Sequence, residues 1–389
     1  MFWFWAVYSA VFGIVMLVVV ASAILGLRRV PDLRLAPGEG EPEGKPRLTV
    51  IVPAKNEEEG IGACLASFLD QTYHNVEVIA VNDRSTDSTG DIMDKIAAAS
   101  SGRIKVLHIT QLPPGWLGKQ HAMWTAAKLA TGELLLFTDG DVMFGRDSLH
   151  RAVAYAQAER ADHLVLAPTM LTLTFGEKLI TGMIQMAIIG LKPWRVSDPK
   201  SKAFIGWGAF NMVRRSAYHA IGGMEPLRLC VVEDMELGRR IKRAGLRSRF
   251  AFGPGLVQLR WGRGLLGPVN NLTKNAFAGV GFRAWLVAAL VLAVLAFHVL
   301  PFGLVWFAPG WTKLGFAVGL AALFAAYATL RDLYGISPLF FFLNPVGASL
   351  MCYAMLRSLF VTLRQGGIVW RGTKYSLDEL RAASPKPWD

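Results

Sequence analysis

The sequence predicts an α/β domain with a doubly wound, mostly parallel sheet, joined to transmembrane helices at both ends of the chain. Short β-rich runs alternate with helix-like stretches between residues 48 and 167, which is the pattern of βαβ units. Long apolar runs lie before residue 28 and after residue 283, and runs of this length can cross a bilayer. The composition, 53% hydrophobic and 18% charged, is also more apolar than that of an ordinary soluble domain.

The N-terminal run, from Phe2 to Leu27, contains no charged residue. A cleaved signal peptide is the alternative interpretation, but the run exceeds the usual apolar core of such peptides and lacks a positive segment before it. We therefore predict an uncleaved transmembrane anchor at residues 1–29. Arg28 and Arg29 follow the run directly, and the positive-inside rule then places the next domain in the cytoplasm.

A segment rich in Pro, Gly and charge at 30–46 is predicted to be a linker, and an α/β catalytic domain is predicted at 47–262. Helical stretches are expected near residues 58–70, 87–99, 119–130 and 147–160. Ligands of an open parallel sheet bind beyond the carboxyl ends of its strands, so the polar residues after each strand are the candidate site. The predicted strands are Leu48–Pro53, Val76–Asn82, Ile104–Ile109, Leu134–Thr138 and Leu164–Ala167.

Three apolar runs follow the α/β domain. Trp285–Phe307 and Leu314–Leu330 are predicted to span the membrane, whereas Pro338–Leu363 is interrupted at Asn344-Pro345. We predict a re-entrant or interfacial hairpin there, because it keeps the polar, basic tail on the cytoplasmic side. The remaining boundaries are an interfacial segment at 263–283, a membrane region at 284–363 and a cytoplasmic tail at 364–389.

The net charge of +12 does not by itself exclude any class of partner, but the distribution of the basic residues argues against nucleic acid. The basic residues are spread out and do not form a stripe with interleaved aromatics, so no nucleic-acid partner is predicted. They suit anionic lipid head groups and phosphate-bearing substrates instead. The three cysteines have no metal-like spacing, and reduced thiols agree with a cytoplasmic domain.

Acidic and amide side chains follow the first two predicted strands. Asn56 and Glu57 come after the first strand, and Asp83 comes after the second. Helix capping and compensation of the helix dipole are alternative explanations for these residues. A carboxylate at a strand end can also hold a base or a ribose by hydrogen bonds, so these residues are candidates for nucleotide binding.

Asp139-Gly140-Asp141 follows the fourth strand. Two carboxylates separated by one glycine can face the same point, and Mg²⁺ or Mn²⁺ prefers such hard oxygen ligands together with substrate phosphates. A cation held there would neutralise a leaving diphosphate. We predict that Asp139 and Asp141 bind a divalent cation.

Two further pairs complete the set of candidates. Glu233 and Asp234 stand at the start of a predicted helix, where one acid can be assigned to the helix dipole and the other to a general base. Arg260 can hold a diphosphate with its fork of donors. Trp261 can pack against an acceptor or lie at the lipid interface.

Taken in order, these motifs resemble the membrane-bound family 2 glycosyltransferases, which have a GT-A fold, over about Leu48 to Trp261. The resemblance implies that Asp83 and Glu57 bind the nucleoside of the donor and that Asp234, with Glu233, carries the catalysis of an inverting transfer. It implies a divalent cation, Mg²⁺ or Mn²⁺, as cofactor. The donor-binding residues that it implies are Pro53, Asn56, Glu57, Asp83, Lys119, Asp139, Arg260 and Trp261.

A narrower resemblance concerns Leu112 to Lys119 and the tail from Val369 to Tyr375. Both are similar to membrane glycosyltransferases associated with hopanoid and carotenoid glycolipids, and they imply that Lys119 lies near the donor phosphates. This group implies a lipid acceptor. The (Q/R)xxRW motif of processive members is incomplete, since its first position is Val257 and the glutamine, Gln258, stands one place late.

We therefore expect a multi-pass cell-membrane enzyme that transfers a sugar from a nucleotide-diphosphate sugar, by the resemblance a UDP-sugar, to a lipid at the cytoplasmic face. A processive polysaccharide synthase is the first alternative, and product length separates it from the lipid enzyme. The second is a non-enzymatic membrane protein with an inactive nucleotide-binding domain, whose mark would be loss of the acids at the predicted site.

Overall fold

The computed structural model describes residues 2–35 and 44–384. Part of the predicted linker and the last residues of the predicted tail therefore lie outside the described residues. A central α/β domain is combined with long apolar helices at both ends, which confirms the predicted fold class.

All five predicted strands are present in the structure, as β1, β2, β3, β4 and β6. The strands are β1 (Leu48–Ala54), β2 (Val76–Asp83), β3 (Ile104–Ile109), β4 (Leu134–Phe137), β5 (Met143–Phe144), β6 (His163–Ala167), β7 (Thr169–Met170), β8 (Asn211–Arg214), β9 (Ser248–Phe252), β10 (Val257–Leu259), β11 (Gly367–Trp370) and β12 (Thr373–Ser376). The helices are α1 (Phe2–Leu27), α2 (Ile61–Leu69), α3 (Thr89–Ala99), α4 (Gly118–Leu129), α5 (Ser148–Ala158), α6 (Phe175–Gly190), α7 (Arg215–Ala220), α8 (Glu233–Arg243), α9 (Leu266–Gly279), α10 (Ala284–Val294), α11 (Leu300–Phe307), α12 (Lys313–Tyr334), α13 (Asn344–Gln365) and α14 (Leu377–Ala383).

The main sheet has seven strands in the order β3-β2-β1-β4-β8-β6-β9. Strands β3, β2, β1 and β4 are parallel, β8 is antiparallel to both of its neighbours, and β9 is parallel to β6. Strand β1 is buried along its whole length because helices cover both faces of the sheet. Its side chains alternate between the two layers: Val50 and Val52 pack with α2, α3 and α5, whereas Ile51 packs with α4, α7 and α8.

The start of the predicted linker is attached to the sheet. The Leu33 amide donates to the Phe252 carbonyl at 2.7 Å, and Asp32 forms a β-bridge with the same residue. The chain leaving α1 is therefore held against β9.

Four segments of the described chain are long and apolar enough to cross a membrane: Phe2–Leu27, Ala284–Phe307, Gly310–Tyr334 and Pro338–Gln365. Helices α1 and α12 pack closely because Gly315 and Gly319 lie four residues apart on one face. A Cβ atom at Gly315 would stand 2.3 Å from the Ser9 carbonyl oxygen, and one at Gly319 would stand 2.3 Å from the Phe12 ring. Glycines with this spacing let helix backbones approach each other.

These two helices run in the same direction. At one end the Phe2 ring contacts Trp311, with ring centroids 5.7 Å apart. At the other end Gly26 lies against the Trp194 ring, and the Tyr334 ring contacts Phe252 of β9. Both helices therefore run from the far side of the bundle to the α/β domain.

The segment Pro338–Gln365 begins with a short 3-10 turn and continues as α13. The Asn344 side chain donates to the His298 carbonyl at 2.7 Å, which places the start of α13 beside the middle of Ala284–Phe307. Near the other end, Ser358 accepts from the Phe277 amide at 3.0 Å. Pro345 lies in the first turn of α13, where its missing N–H costs nothing.

Both ends of this segment therefore lie on the side of the α/β domain, because Tyr334 and Ser358 both contact residues of that side. The hairpin at Asn344-Pro345 and its depth in a bilayer stay predictions.

Candidate active site

A cavity of about 330 Å³ opens at the carboxyl ends of β1, β2 and β4. It lies where the rule for open parallel sheets places ligands. Helices α6 and α9 and the hairpin β11-β12 form its other walls. Among the described residues, its charged lining consists of Lys55, Arg84, Lys119, Lys274 and Arg371 with Glu57, Asp83, Asp139, Asp141, Glu233 and Asp234.

The two predicted cation ligands lie side by side in this cavity. Asp139 forms an ion pair with Lys119, with 2.6 Å between Lys119 Nζ and Asp139 Oδ1. Burial raises the pKa of Asp139, but the Lys119 ammonium lowers it by more, so the pKa lies below its usual value. Burial, Asp139 and Glu57 raise the pKa of Asp141 to about 7. Asp141 thus has no salt-bridge partner in the described chain, and a bound cation would favour its charged form.

The donor set fits a hard divalent cation that is shared with a substrate. No group of three or more His, Cys, Asp or Glu side chains in the described residues is arranged to hold a metal ion. Asp139 and Asp141 supply two oxygen ligands, and Mg²⁺ or Mn²⁺ bound by one or two carboxylates takes its remaining ligands from phosphates and water.

Glu233 is buried and holds Lys119 in position. Its Oε1 lies 2.7 Å from Lys119 Nζ, and its Oε2 accepts from Gln120 at 3.2 Å. Lys119 therefore bridges the loop after β4 and the start of α8. Glu233 thus contacts the site through Lys119, and the catalytic role predicted for it stays a prediction.

Asp234 is held by the backbone. Its Oδ2 accepts from the Gly208 amide at 2.8 Å and its Oδ1 from the Met235 amide at 2.7 Å. Burial and the neighbouring Glu233 raise the pKa of Asp234 to about 6. A carboxylate with a pKa near the operating pH is suited to take a proton as a general base.

The end of β2 forms the other side of the cavity. Asp83 pairs with Arg84 through two hydrogen bonds of 2.7 and 2.9 Å. Gly118 packs against this carboxylate so closely that a Cβ atom would stand 2.3 Å from Asp83 Oδ2. Pro53 and Glu57 line the same part of the cavity, as predicted for donor-binding residues.

Asn56 does not line the cavity. Its Oδ1 accepts from the Thr86 amide at 2.8 Å and its backbone amide donates to Ser85 at 3.1 Å. Asn56 therefore ties the loop after β1 to the loop after β2. Its predicted contact with the donor stays a prediction.

Arg260 is also outside the cavity. Its guanidinium bonds Glu177, with 2.7 Å between Nη2 and Oε1, and Glu177 also accepts from the Gly264 amide at 2.7 Å. Leu259 and Trp261 line the cavity, and Arg260 between them points the opposite way, as alternate residues of an extended segment do. The predicted contact between Arg260 and the donor diphosphate is not supported by this arrangement.

Several lining residues were not predicted from the sequence. Lys274 belongs to α9, which falls in the segment predicted to be merely interfacial, and burial with nearby Lys119 lowers its pKa to about 8. A single lysine in a helix carries no sequence signal. Trp370, Arg371 and Tyr375 come from the tail, where only the resemblance to a family element marked them.

One wall of the cavity is apolar. Its residues come from β7, the loop before β8, α6 and the end of β10, and α6 packs against α13 and α9 of the membrane-adjacent region. Leu173 and Phe175, at the start of α6, are exposed apolar residues beside this wall. The wall residues are Met170, Ile184, Ile188, Trp207, Leu259 and Trp261.

Comparison with known proteins identifies the type of domain that contains this cavity. Residues 49–222 match the family model of Glycosyl transferase family 2. The chain is a glycosyltransferase with a family 2 domain. The matched residues include β1 to β4 with the candidate acids Glu57, Asp83, Asp139 and Asp141.

Two similar proteins cover most of this glycosyltransferase. The 4,4'-diaponeurosporenoate glycosyltransferase of Staphylococcus aureus (strain USA300) is 25% identical over 341 residues, which is 85% of this chain and 89% of the relative. The solved mannosyltransferase PcManGT from Pyrobaculum calidifontis, in complex with GDP-Man and Mn²⁺, has a TM-score of 0.55 at 19% identity. The match covers 91% of this chain and 99% of that one. The shared fold confirms the GT-A architecture of the glycosyltransferase.

Proposed function

We propose that this glycosyltransferase moves a sugar from a nucleotide-diphosphate donor, a UDP-sugar, to a lipid acceptor at the cytoplasmic face of the cell membrane, with inversion at the anomeric carbon. One observation carries the proposal. A single cavity combines a wall of acids and cations at the strand ends with an apolar wall beside the membrane helices. Asp234 lies where they meet, because its partner Gly208 follows Trp207 of the apolar wall.

The charged wall supports binding of the donor. Asp83 and Glu57 would hold the nucleoside, while Lys119 and Asp139 lie where the phosphates would follow. PcManGT was solved with GDP-Man and Mn²⁺, which supports a nucleotide sugar and a divalent cation here. Asp139 and Asp141 would hold the cation, which when bound neutralises charge on the leaving diphosphate.

The apolar wall supports a lipid acceptor. Ile184 and Ile188 line the cavity from α6, and α6 also packs against α1, α9 and α13. An acceptor whose body stays in the bilayer could place its polar end in the cavity along this helix. The relative named for 4,4'-diaponeurosporenoate also supports an acceptor of the lipid type.

Asp234 would act as the general base. It takes the proton from an acceptor hydroxyl, whose oxygen attacks the anomeric carbon from the face opposite to the diphosphate. The bond between that carbon and the phosphate oxygen breaks, and the electron pair leaves with the nucleoside diphosphate. Lys119, fixed by Glu233, would stabilise the developing charge because its ammonium is already oriented before the reaction.

The proposal is tested by a transfer assay on the detergent-purified protein. The assay uses a panel of labelled nucleotide sugars, Mg²⁺ or Mn²⁺, and total lipid extract of the host. Label in a single lipid species is the expected result and identifies the donor and the acceptor together. Label in a long water-soluble polymer would replace the proposal with a polysaccharide synthase, and a folded protein that binds no donor would replace it with a non-enzymatic role.

A further inference from the structure

The C-terminal hairpin β11-β12 ends in a two-residue turn formed by Arg371 and Gly372. Both turn residues have positive φ, 48° for Arg371 and 80° for Gly372, as a type I′ turn requires. Glycine adopts this conformation readily, but arginine does so rarely. Turn preference therefore does not explain the arginine at the tip, and a residue held in an unfavourable conformation invites a functional explanation.

The hairpin is packed directly onto the loops that carry the site. Tyr375 and Leu377 are buried in one cluster with Leu117 and Val231. Leu117 immediately precedes the helix that begins with Gly118-Lys119, and Val231 precedes Glu233 and Asp234 by two and three positions. The hairpin base is thus fixed against the residues on both sides of the site, so the position of its tip is defined.

The tip reaches over the cavity. The Arg371 guanidinium donates to the Glu57 carboxylate and to the Lys55 carbonyl oxygen. The Lys274 ammonium lies 3.9 Å from the centroid of the Trp370 ring. Trp370 and Arg371 line the cavity from the tail, and Lys274 lines it from α9, so both segments add to the site beyond residue 262.

Two other basic side chains of the cavity are engaged with carboxylates: both Arg84 bonds go to Asp83, and Lys119 lies between Asp139 and Glu233. Arg371 keeps 40% of its side chain exposed, and its carboxylate partner is itself partly exposed. Its planar fork of donors matches the oxygens of a diphosphate, which a single ammonium does not.

We propose that the tip of the C-terminal hairpin completes the donor site and that Arg371 binds the diphosphate of the nucleotide sugar. The inference rests on the proposed function, because it requires a nucleotide-diphosphate donor. Arg371 takes the place that the sequence predicted for Arg260, whose guanidinium is engaged with Glu177 outside the cavity. The donor site is therefore assembled from residues at both ends of the catalytic chain.

The test compares the binding of UDP and UMP, and of GDP and GMP, to the full-length protein in detergent with Mn²⁺. Arg371→Asn removes the guanidinium but creates Asn-Gly, a favoured type I′ pair, so the hairpin is retained. We expect the affinity for the preferred diphosphate to fall on the order of 10- to 100-fold, with a much smaller change for the monophosphate. The diphosphate affinity of Arg371→Lys should lie between those of the wild type and Arg371→Asn, because lysine keeps the charge but lacks the planar fork of donors. Arg381→Ala, in α14 of the same tail, is the matched control and should bind like the wild type.

Equal ratios of diphosphate to monophosphate affinity in the wild type and in Arg371→Asn would overturn the inference while leaving the proposed function intact. A folded wild-type protein that bound neither UDP nor GDP, and released no sugar from any nucleotide sugar, would overturn the proposed function and the inference together. Loss of monophosphate binding to the same extent would assign Arg371 to hairpin stability and also contradict the inference.

Discussion

Two neighbouring acids, Glu233 and Asp234, have different surroundings although they share a helix start. The Glu233 carboxylate contacts the Lys119 ammonium and the Gln120 amide, so it is a partner for a cation. The Asp234 carboxylate contacts only backbone amides, of Gly208 and Met235, among the hydrogen bonds of the described residues. This difference favours a positioning role for Glu233 and the proposed role of general base for Asp234.

The pH dependence of transfer should reflect the protonation of the Asp234 carboxylate. Its pKa is raised to about 6 by burial and by Glu233, while Lys119 opposes and Asp139 adds to the shift. A base acts when it is deprotonated, so we expect kcat/KM to be constant above neutral pH and to fall as the pH drops through about 6. Asp234→Asn should lower transfer by about 10²- to 10⁴-fold and leave donor binding nearly unchanged.

A pH profile of the wild type at saturating Mn²⁺ checks this prediction. Asp91→Asn, at an exposed position of α3, is the matched control and should keep the full profile. Full activity of Asp234→Asn, or a wild-type profile that stays flat down to pH 4, would remove Asp234 as the base.

The cation requirement should depend on Asp141. The neighbouring carboxylates of Asp139 and Glu57 disfavour the charged form of Asp141, and a bound cation would stabilise it. Asp141→Asn removes one of the two predicted ligands, so we expect the Mn²⁺ concentration for half-maximal transfer to rise at least about 10-fold. Chelation with EDTA should stop transfer by the wild type, and Mn²⁺ should restore it. An unchanged Mn²⁺ titration for Asp141→Asn would exclude this ligand.

At the scale of elements, the ion pair between Arg260 and Glu177 connects the segment after β10 to the start of α6. Glu177 is buried and accepts hydrogen bonds from Arg260, Leu173 and Gly264. These bonds lower the pKa of Glu177 to about 2, with the Arg260 hydrogen bond as the largest cause. The pair thus holds the apolar wall of the cavity in place.

Arg260→Ala should lower the stability of the protein without changing its affinity for the donor. Removing the guanidinium leaves a buried carboxylate with fewer partners, so we expect a lower melting temperature in detergent. Diphosphate affinity of the folded protein should change little, in contrast to Arg371→Asn. Thermal unfolding and UDP binding measured on both variants check this, and a loss of UDP affinity in Arg260→Ala without loss of stability would restore the role predicted from the sequence.

The contact between α1 and α12 depends on glycine. A Cβ atom at Gly315 would stand 2.3 Å from the Ser9 carbonyl oxygen, and backbone cannot move aside as a flexible side chain can. We expect Gly315→Ala to destabilise the membrane region by roughly 1–3 kcal/mol. Gly303→Ala in α11 is the matched control, because a Cβ atom there would meet no atom within 4 Å beyond its own stretch of helix. Equal melting temperatures for the two variants would contradict close packing at this site.

At the scale of the whole molecule, the direction of the apolar helices places the tail beside the catalytic domain. The contact of Arg371 with Glu57 joins residues 314 positions apart, and the Phe2 end of α1 lies beside Trp311 on the opposite side. An odd number of crossings after the catalytic domain would separate the tail from the site. The membrane topology and the composition of the site are therefore linked.

Labelling of introduced cysteines tests this topology, since the native thiols Cys64, Cys230 and Cys352 are all buried. With a membrane-impermeant maleimide, Lys374→Cys in the hairpin should react from the same side as Asp91→Cys in the catalytic domain. Lys313→Cys, at the start of α12, should react from the other side. Reaction of Lys374→Cys together with Lys313→Cys would contradict the hairpin at Asn344-Pro345.

The sequence was sufficient for β1 to β4 and β6 of the main sheet and for the helices between them, whereas β8 and β9 were not predicted. It also placed acids at the strand ends. Apolar alternation and composition are local properties, and the rule that ligands bind beyond the carboxyl ends of parallel strands then selected Asp83, Asp139 and Asp141. The apolar runs were equally visible, because bilayer thickness sets their length.

Only the tertiary structure decided which cations belong to the site. Arg260 lies next to a lining residue in the chain but turns to Glu177, whereas Lys274 and Arg371 reach the cavity from α9 and from the tail. The role of Glu233 likewise depends on Lys119, which lies far from it in the sequence. Such contacts form between residues that are distant along the chain, and no local pattern of residues encodes them.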